Sequence, residues 1–116
     1  MNYHFRLDGA IVPKARPRFG KGRSYLPSRY RNWKQSAIES LKSQLPPNHQ
    51  PIERCRIFIA LNGSHRGDLD NLSGSILDAL VQSEAIVDDR LRIVNELTVK
   101  HFPGKEKFAS IEVRKI

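Results

Sequence analysis

The sequence predicts a single α+β domain, residues 1–116, in which two helices cover one face of a four-stranded mixed sheet, in the order β-α-β-α-β-β. Three observations support this fold class. Four short runs alternate apolar and polar residues, as half-buried strands do, and two longer runs repeat apolar residues at helical spacing. The length suffices for one hydrophobic core. One sheet face is also the simplest surface on which both helices can bury their apolar stripes.

The first predicted strand runs from Tyr3 to Val12, where apolar and polar residues alternate loosely. The next segment, Pro13 to Pro27, contains three prolines and two glycines and is therefore predicted to be a loop. A helix follows, with Ser28 as its cap and an end near Leu45, where two prolines stop it. Its apolar stripe consists of Tyr30, Trp33, Ala37, Ile38, Leu41 and Leu45.

The second predicted strand, Ile52 to Leu61, carries Cys55 on its apolar side. As the one cysteine of the chain, Cys55 forms no internal disulfide and is predicted to be a small buried residue. A third strand is predicted over Leu91 to Phe102. A fourth, Phe108 to Val113, follows a Pro-Gly turn and is expected to pair back on the third.

The most informative stretch, Arg66 to Leu72, lies between the second strand and the second predicted helix and contains Asp68 and Asp70. In an extended chain, side chains two residues apart point the same way, so both carboxylates can reach one ion. Carboxylates held close together repel unless a cation, usually a divalent metal, lies between them. The alternative is that Asp70 only caps the helix that follows, for which Asp is a preferred residue.

A second acidic pair, Asp88 and Asp89, follows this helix and precedes the third strand. If the third strand lies beside the second, the turn that carries this pair is expected near the sheet edge from which Asp70 departs. Three or four carboxylates would then converge. That convergence favours a metal site over a simple helix cap.

Charge is divided unequally along the chain. Residues 1–60 hold twelve Lys or Arg against three acids, a net charge of +9, whereas residues 61–116 hold eight against nine, a net charge of −1. The first half therefore suits a polyanion such as nucleic acid, and the second half carries the acidic pairs. The residues predicted to contact DNA are Lys14, Arg16, Arg18, Lys21 and Arg23 in the proline-rich loop and Arg66 beside the acidic stretch.

Several classes of protein are not favoured by the sequence. No apolar run approaches the roughly 20 residues of a membrane span, and the N-terminus lacks the apolar core of a signal peptide, so a cytoplasmic protein without a membrane partner is expected. The four histidines are scattered rather than spaced as zinc ligands, and no zinc site is expected.

Three motifs, in this order, resemble the RusA family of Holliday junction resolvases. They are Gly67-Asp68-Leu69-Asp70-Asn71-Leu72, then Leu77-Asp78-Ala79-Leu80, then Val87-Asp88-Asp89. The basic segment Val12-Pro13-Lys14-Ala15-Arg16-Pro17-Arg18-Phe19 is similar to one near the N-terminus of many members. The matches span nearly the whole chain.

The resemblance implies a bacterial or phage-borne homodimeric endodeoxyribonuclease that cuts four-way DNA junctions at symmetric positions in recombination and repair. It implies Mg²⁺ as cofactor, with Mn²⁺ as a substitute. Carried over by motif, Asp68, Asp70 and Asp89 are the catalytic metal ligands, and Asp88 is an adjacent participant. The substrate is consistent with a homodimer, because a four-way junction has near two-fold symmetry and is cut on two opposed strands.

One position departs from the family pattern. Members commonly carry a lysine four residues after the second Asp of the D-x-D motif, and this chain has Gly74 there. Lys14 or Arg16 is a candidate to supply the missing charge from the basic loop. The alternative function is a catalytically impaired protein of the same fold that binds junctions or DNA without cutting them.

Overall fold

The principal sheet has the strand order β1-β6-β4-β5 and carries both helices. The computed structural model describes residues 2–14, 18–20, 23–25 and 28–116. Over these residues the elements are β1 (Asn2–Asp8), β2 (Arg18–Gly20), β3 (Arg23–Tyr25), α1 (Ser28–Gln44), β4 (Cys55–Asn62), α2 (Leu69–Gln82), β5 (Val94–Phe102) and β6 (Phe108–Lys115). Strands β4 and β5 are parallel, and the β1–β6 and β6–β4 pairs are antiparallel. The predicted α+β class and the four-stranded mixed sheet are confirmed.

The core lies between one face of this sheet and the two helices. On the sheet side, β4 has strict alternation, with Cys55, Ile57, Ile59 and Leu61 all at most 2% exposed. On the helix side, Leu41 of α1 and both Ile76 and Leu80 of α2 are fully buried. This burial fixes α2 against the sheet, and it thereby sets the positions of the chain segments at both ends of that helix.

The pairing of β6 differs from the expected hairpin with the preceding strand. Instead of pairing with β5, β6 lies between β1 and β4. The reason is that α2 connects β4 to β5 as parallel neighbours, so β5 occupies one edge of β4 and the other edge is open to β6. In that central place β6 buries Ala109, Ile111 and Val113.

Gly63 allows the chain to cross from β5 to β6 over the end of β4. Its φ is +86°, a backbone conformation that favours glycine, and its N–H donates to the carbonyl of Phe102 over 2.9 Å. A Cβ at this position would lie 2.3 Å from the carbonyl oxygen of Glu106. The crossing segment, residues 103–107, therefore passes too close to β4 for any side chain at position 63.

Several predicted boundaries shift, among them the start of the second strand, which is Cys55 rather than Ile52. The first strand ends at Asp8 rather than Val12, because Gly9 turns the chain with a φ of +86°. The third strand begins at Val94 rather than Leu91: the amides of Ile93 and Val94 both donate to the carbonyl of Arg90 in a turn. The predicted loop contains the short pair β2–β3. No helix among the described residues combines the length and apolar character that a membrane span requires.

Candidate active site

The first acidic pair lies where the chain passes from β4 into α2. Asp68 is the N-cap: its backbone is extended, and its carboxylate accepts a hydrogen bond from the amide of Asn71 over 3.1 Å. Asp70 lies in the first turn of the helix, where a negative charge is favourable. The residue that caps α2 is therefore Asp68 and not Asp70, which was the alternative considered from the sequence. The side chain of Asp70 is not used as the cap.

The two carboxyl groups of this pair lie close enough to shift each other's pKa. A hydrogen bond from the Asp70 carboxyl, aided by the Asn71 amide, lowers the pKa of Asp68 below its ordinary value. The same hydrogen bond to Asp68, with the repulsion between the two charges, raises the pKa of Asp70. The two negative charges repel at this distance, and a cation between them would offset that repulsion. Two exposed carboxyl groups in this relation are a donor set that fits a hard divalent cation.

His65 fixes the loop that leads into this pair. Its Nδ1 accepts a hydrogen bond from the amide of Ile11 over 3.0 Å, and its Nε2 donates to the carbonyl of Asn62 over 2.9 Å. The ring thereby ties the end of β4 to the segment after β1. With His101 and Asp68 it also lines a pocket of about 400 Å³ beside the cap. The sequence showed only that His65 neighbours the acidic stretch, and its part in holding the loop was missed.

The second acidic pair lies at the opposite end of α2. Residues Ile52 and Ile86 form an isolated parallel bridge, which places the segment before Asp88 at the N-terminal end of β4. Asp68 and Asp70 follow the C-terminal end of the same strand. At about 1.5 Å per residue, the 14 residues of α2 separate the two pairs by roughly 20 Å.

The predicted convergence of both pairs within one chain is therefore wrong. A helix that connects two parallel strands must return the chain to the end of the sheet at which the first strand began. The two ends of the helix therefore lie at opposite ends of the strands. Among the described residues, no group of three or more His, Cys, Asp or Glu side chains comes close enough to hold a metal ion. Within the second pair, Asp88 is engaged by Arg90 Nε over 2.7 Å, and Asp89 is exposed.

Lys14 lies along the exposed side of α2. Its amide donates to the carbonyl of Asn71 over 3.2 Å, its side chain passes over Gly74, and its Nζ lies 3.3 Å from Oδ1 of Asp78. Asp78 also accepts a hydrogen bond of 2.8 Å from the hydroxyl of Tyr30. Burial, and then this hydrogen bond, raises the pKa of Tyr30. The sequence left open that Asp78 is simply solvated, but the structure places it, with a side chain 22% exposed, between these two partners.

The structure describes some of the other predicted DNA-contact residues and leaves two outside the described residues. Arg66 is exposed and precedes Asp68 by two residues. Arg18 and Arg23 lie in the paired strands β2 and β3. Arg16 and Lys21 fall outside the described residues.

Asp68 has two roles, as the cap of α2 and as a candidate metal ligand, and two substitutions distinguish them. We expect Asp68→Ala to lower the midpoint of thermal unfolding by a few degrees, because the amide of Asn71 loses its partner. Asp68→Asn should leave the midpoint nearly unchanged, because Asn caps as well as Asp, yet it removes the charge that a cation needs. Thermal unfolding monitored by circular dichroism measures both. Equal destabilisation by the two variants would contradict the capping role.

The chain matches a known protein family over nearly its whole length. A protein-family model described as "Endodeoxyribonuclease RusA" matches residues 8–114. The matched range contains both acidic pairs, Lys14 and Gly74. A search of curated protein sequences found no match.

Proposed function

Because this chain belongs to the RusA family of endodeoxyribonucleases, we propose that it is a Mg²⁺-dependent resolvase that cuts four-way DNA junctions symmetrically in recombination and repair. The observation that carries the catalytic part of the proposal is the pair Asp68 and Asp70 at the start of α2. The two carboxyl groups are exposed and joined by a hydrogen bond, and Asp68 is also held by its cap hydrogen bond from Asn71. An exposed pair of this kind is suited to bind a cation at the point where a phosphate backbone can approach.

We propose that Asp68 and Asp70 hold the metal, with Mn²⁺ as a substitute for Mg²⁺. When bound, the ion would lower the pKa of a water molecule and neutralise charge that builds up on the phosphate. The chain's own contribution is to position the donors. The amide of Asn71 restrains one oxygen of Asp68, and the first turn of α2 fixes the backbone from which the Asp70 side chain extends. Positioning of this kind lowers the cost of ordering the donors around an ion.

The remaining ligands proposed, Asp89 with Asp88 beside it, require a second copy of the chain. Within one chain they lie roughly 20 Å from Asp70, along the full length of α2. A two-fold axis that sets the two copies of α2 in opposite directions would place the Asp89 end of one helix at the Asp70 end of the other. We therefore propose a homodimer with two shared metal sites. Two such sites also match a substrate that is cut on two opposed strands.

The proposed DNA surface combines the basic loop with the start of α2. Residues 1–60 carry a net charge of +9, and Arg66 extends this positive region to the acidic pair. Positive charge around a metal site draws in the phosphate backbone and releases counterions, which makes affinity fall with salt. The residues proposed for these contacts are Lys14, Arg16, Arg18, Lys21, Arg23 and Arg66.

Cleavage of an end-labelled four-way junction at low salt tests the function directly. With Mg²⁺ we expect paired nicks at symmetric positions in opposed strands, and with EDTA we expect a retained complex that is not cut. A linear duplex of the same sequence is the control for structure selectivity. Equal cleavage of duplex and junction would contradict the proposed substrate.

The alternative, a protein that binds junctions but does not cut them, is favoured by one specific observation. At position 74, where the family resemblance leads one to expect a lysine, α2 has a glycine. This alternative predicts tight binding of the junction and no nicks with Mg²⁺ or Mn²⁺. The same assay therefore separates the two functions.

A further inference from the structure

The side chain of Lys14 is held in a defined place on α2 by contacts along its whole length. Its backbone is joined to Asn71, one residue beyond Asp70, through an N–H···O bond of 3.2 Å. From there the side chain runs towards the C-terminal end of the helix, past Gly74, and its ammonium group reaches Asp78. Residues 71, 74 and 78 lie on successive turns of one helix face. The lysine therefore follows that face for about two turns.

Gly74 lets the lysine stem lie close against the helix. A Cβ built at position 74 would lie 3.3 Å from Cδ and 3.8 Å from Cβ of Lys14. The first distance is tighter than ordinary van der Waals contact, so alanine would require the lysine stem to move by a few tenths of an ångström. Glycine within a helix costs about 1 kcal/mol relative to alanine. Close approach of the Lys14 stem is a physical reason for glycine at this position.

Asp78 and Tyr30 restrain the charged end of the lysine. Oδ1 of Asp78 lies 3.3 Å from the ammonium group, and Oδ2 accepts the hydroxyl hydrogen bond from Tyr30 of α1. The ring of Tyr30 is itself buried and stacked on Trp33, so the carboxylate is anchored to the core. The side chain of Lys14 is half exposed. An ammonium group has three donors, and one contact with Asp78 leaves donors that can face solvent or a ligand.

The position of this ammonium group does not coincide with the proposed metal site. Asp78 is eight residues beyond Asp70, which corresponds to roughly 12 Å along the helix axis. Phosphates of one DNA strand recur about every 3.4 Å along the duplex axis. The ammonium group of Lys14, beside Asp78, is thus placed to contact a phosphate that lies a few nucleotides from a phosphate bound at Asp70.

We infer that Lys14, laid across Gly74 and restrained by Asp78 and Tyr30, binds one DNA phosphate that flanks the phosphate cleaved at Asp68 and Asp70. This inference rests on the proposed function, since it takes those two residues as the cleavage site. It adds a subsite with a defined place on α2 and assigns Asp78 and Tyr30 as positioning residues. The subsite fixes the distance between the contacted phosphate and the cut.

A scan with neutral phosphates tests the inference. Four-way junctions are prepared with a single methylphosphonate at each position within four nucleotides of the cut made by the wild-type protein. Affinity is measured in EDTA, so that cleavage plays no part. For the wild type we expect one flanking position at which the neutral group weakens binding by roughly three- to tenfold. For Lys14→Gln, which keeps a stem over Gly74 but has no charge, the same substitution should change affinity less than twofold.

Asp78→Asn tests the positioning role. Removing an acid near DNA should by simple electrostatics tighten binding to an unmodified junction. If Asp78 positions the lysine, the affinity of this variant for the unmodified junction does not fall, but the methylphosphonate at the flanking position no longer weakens its binding. Lys14→Arg is the matched control that keeps the charge, and its scan should retain an effect at the flanking position or a neighbouring one.

The outcomes are separable from those of the proposed function. The inference is overturned if the wild type and Lys14→Gln respond differently only to the methylphosphonate at the cleaved phosphate, or to none. This holds even if the protein is an active resolvase. A protein that binds the junction without cutting it overturns the proposed catalysis. In that case no phosphate is cleaved, and the inference, which places Lys14 relative to the cut, is rejected with it.

Discussion

Asp70→Asn is expected to reduce the cleavage rate of a four-way junction by at least roughly 10³-fold, because a neutral amide is a poor ligand for a divalent cation. Binding of the junction should change little, since Asn has the same size as Asp and its amide can keep the hydrogen bonds of this side chain with Asp68 and the amide of Asn71. The measurement is a single-turnover rate with Mg²⁺, together with affinity in EDTA.

Glu39→Gln is the matched control for this variant. Glu39 is an exposed acid on α1 that contacts Gln35, so its replacement removes one negative charge from a different helix than the one that carries the acidic pair. Its cleavage rate should remain within about twofold of the wild type, because exposed charges at a distance are screened by salt. A comparable loss in both variants, or cleavage by Asp70→Asn at the wild-type rate, would remove Asp70 from the catalytic machinery.

Mixing two inactive variants is expected to restore cleavage. Asp70→Asn and Asp89→Asn should each be inactive alone, because every shared site then lacks a ligand. In a mixed dimer one site contains both substitutions, and the other contains Asp70 from one chain and Asp89 from its partner, both intact. After unfolding and refolding of an equal mixture, about half of the dimers are mixed if association is random. These mixed dimers should nick one strand of the junction.

The alternative arrangement makes the opposite prediction. If all ligands of a site came from one chain, no combination of these variants would contain an intact site, and the mixture would remain inactive. A mixture of Asp70→Asn with Asp68→Asn is the control, because both substitutions affect the same end of α2. That mixture should stay inactive under the shared arrangement as well. Recovery in the control would show residual activity of a variant rather than sharing of a site.

The fold was largely predictable because its signals are local. Alternation in β4 and helical spacing in α2 reflect burial on one side of an element, which a sequence records directly. The pairing of β6 was mispredicted because a short turn after β5 favours a hairpin, whereas the actual partner is decided by which strand edges are already occupied. The strands β2 and β3 were missed because three residues are too few to establish a period.

The candidate site was predictable by residue type but not by arrangement. Asp68 and Asp70 are close enough for a hydrogen bond, but Asp70 lies in the first turn of α2 rather than in the extended chain from which their proximity was predicted. The relation of Asp89 to them depends on the direction of α2 between parallel strands and on any second copy of the chain. The Lys14 contact with Asp78 joins residues 64 positions apart. The sequence marked Lys14 and Gly74 separately, and only the fold relates them.

The central place of β6 also bears on how the molecule acquires its shape during synthesis. β1 is an edge strand of the sheet, and its register with β6 pairs residue 2 with residue 114. A nascent chain emerging from the ribosome therefore holds β1 without a partner until β6, about a hundred residues later, has been made. Contacts so distant in sequence slow folding, because a long loop must close before they form. The β4-α2-β5 unit, whose contacts are nearer in sequence, can assemble first and offer the edge on which β6, and then β1, are added.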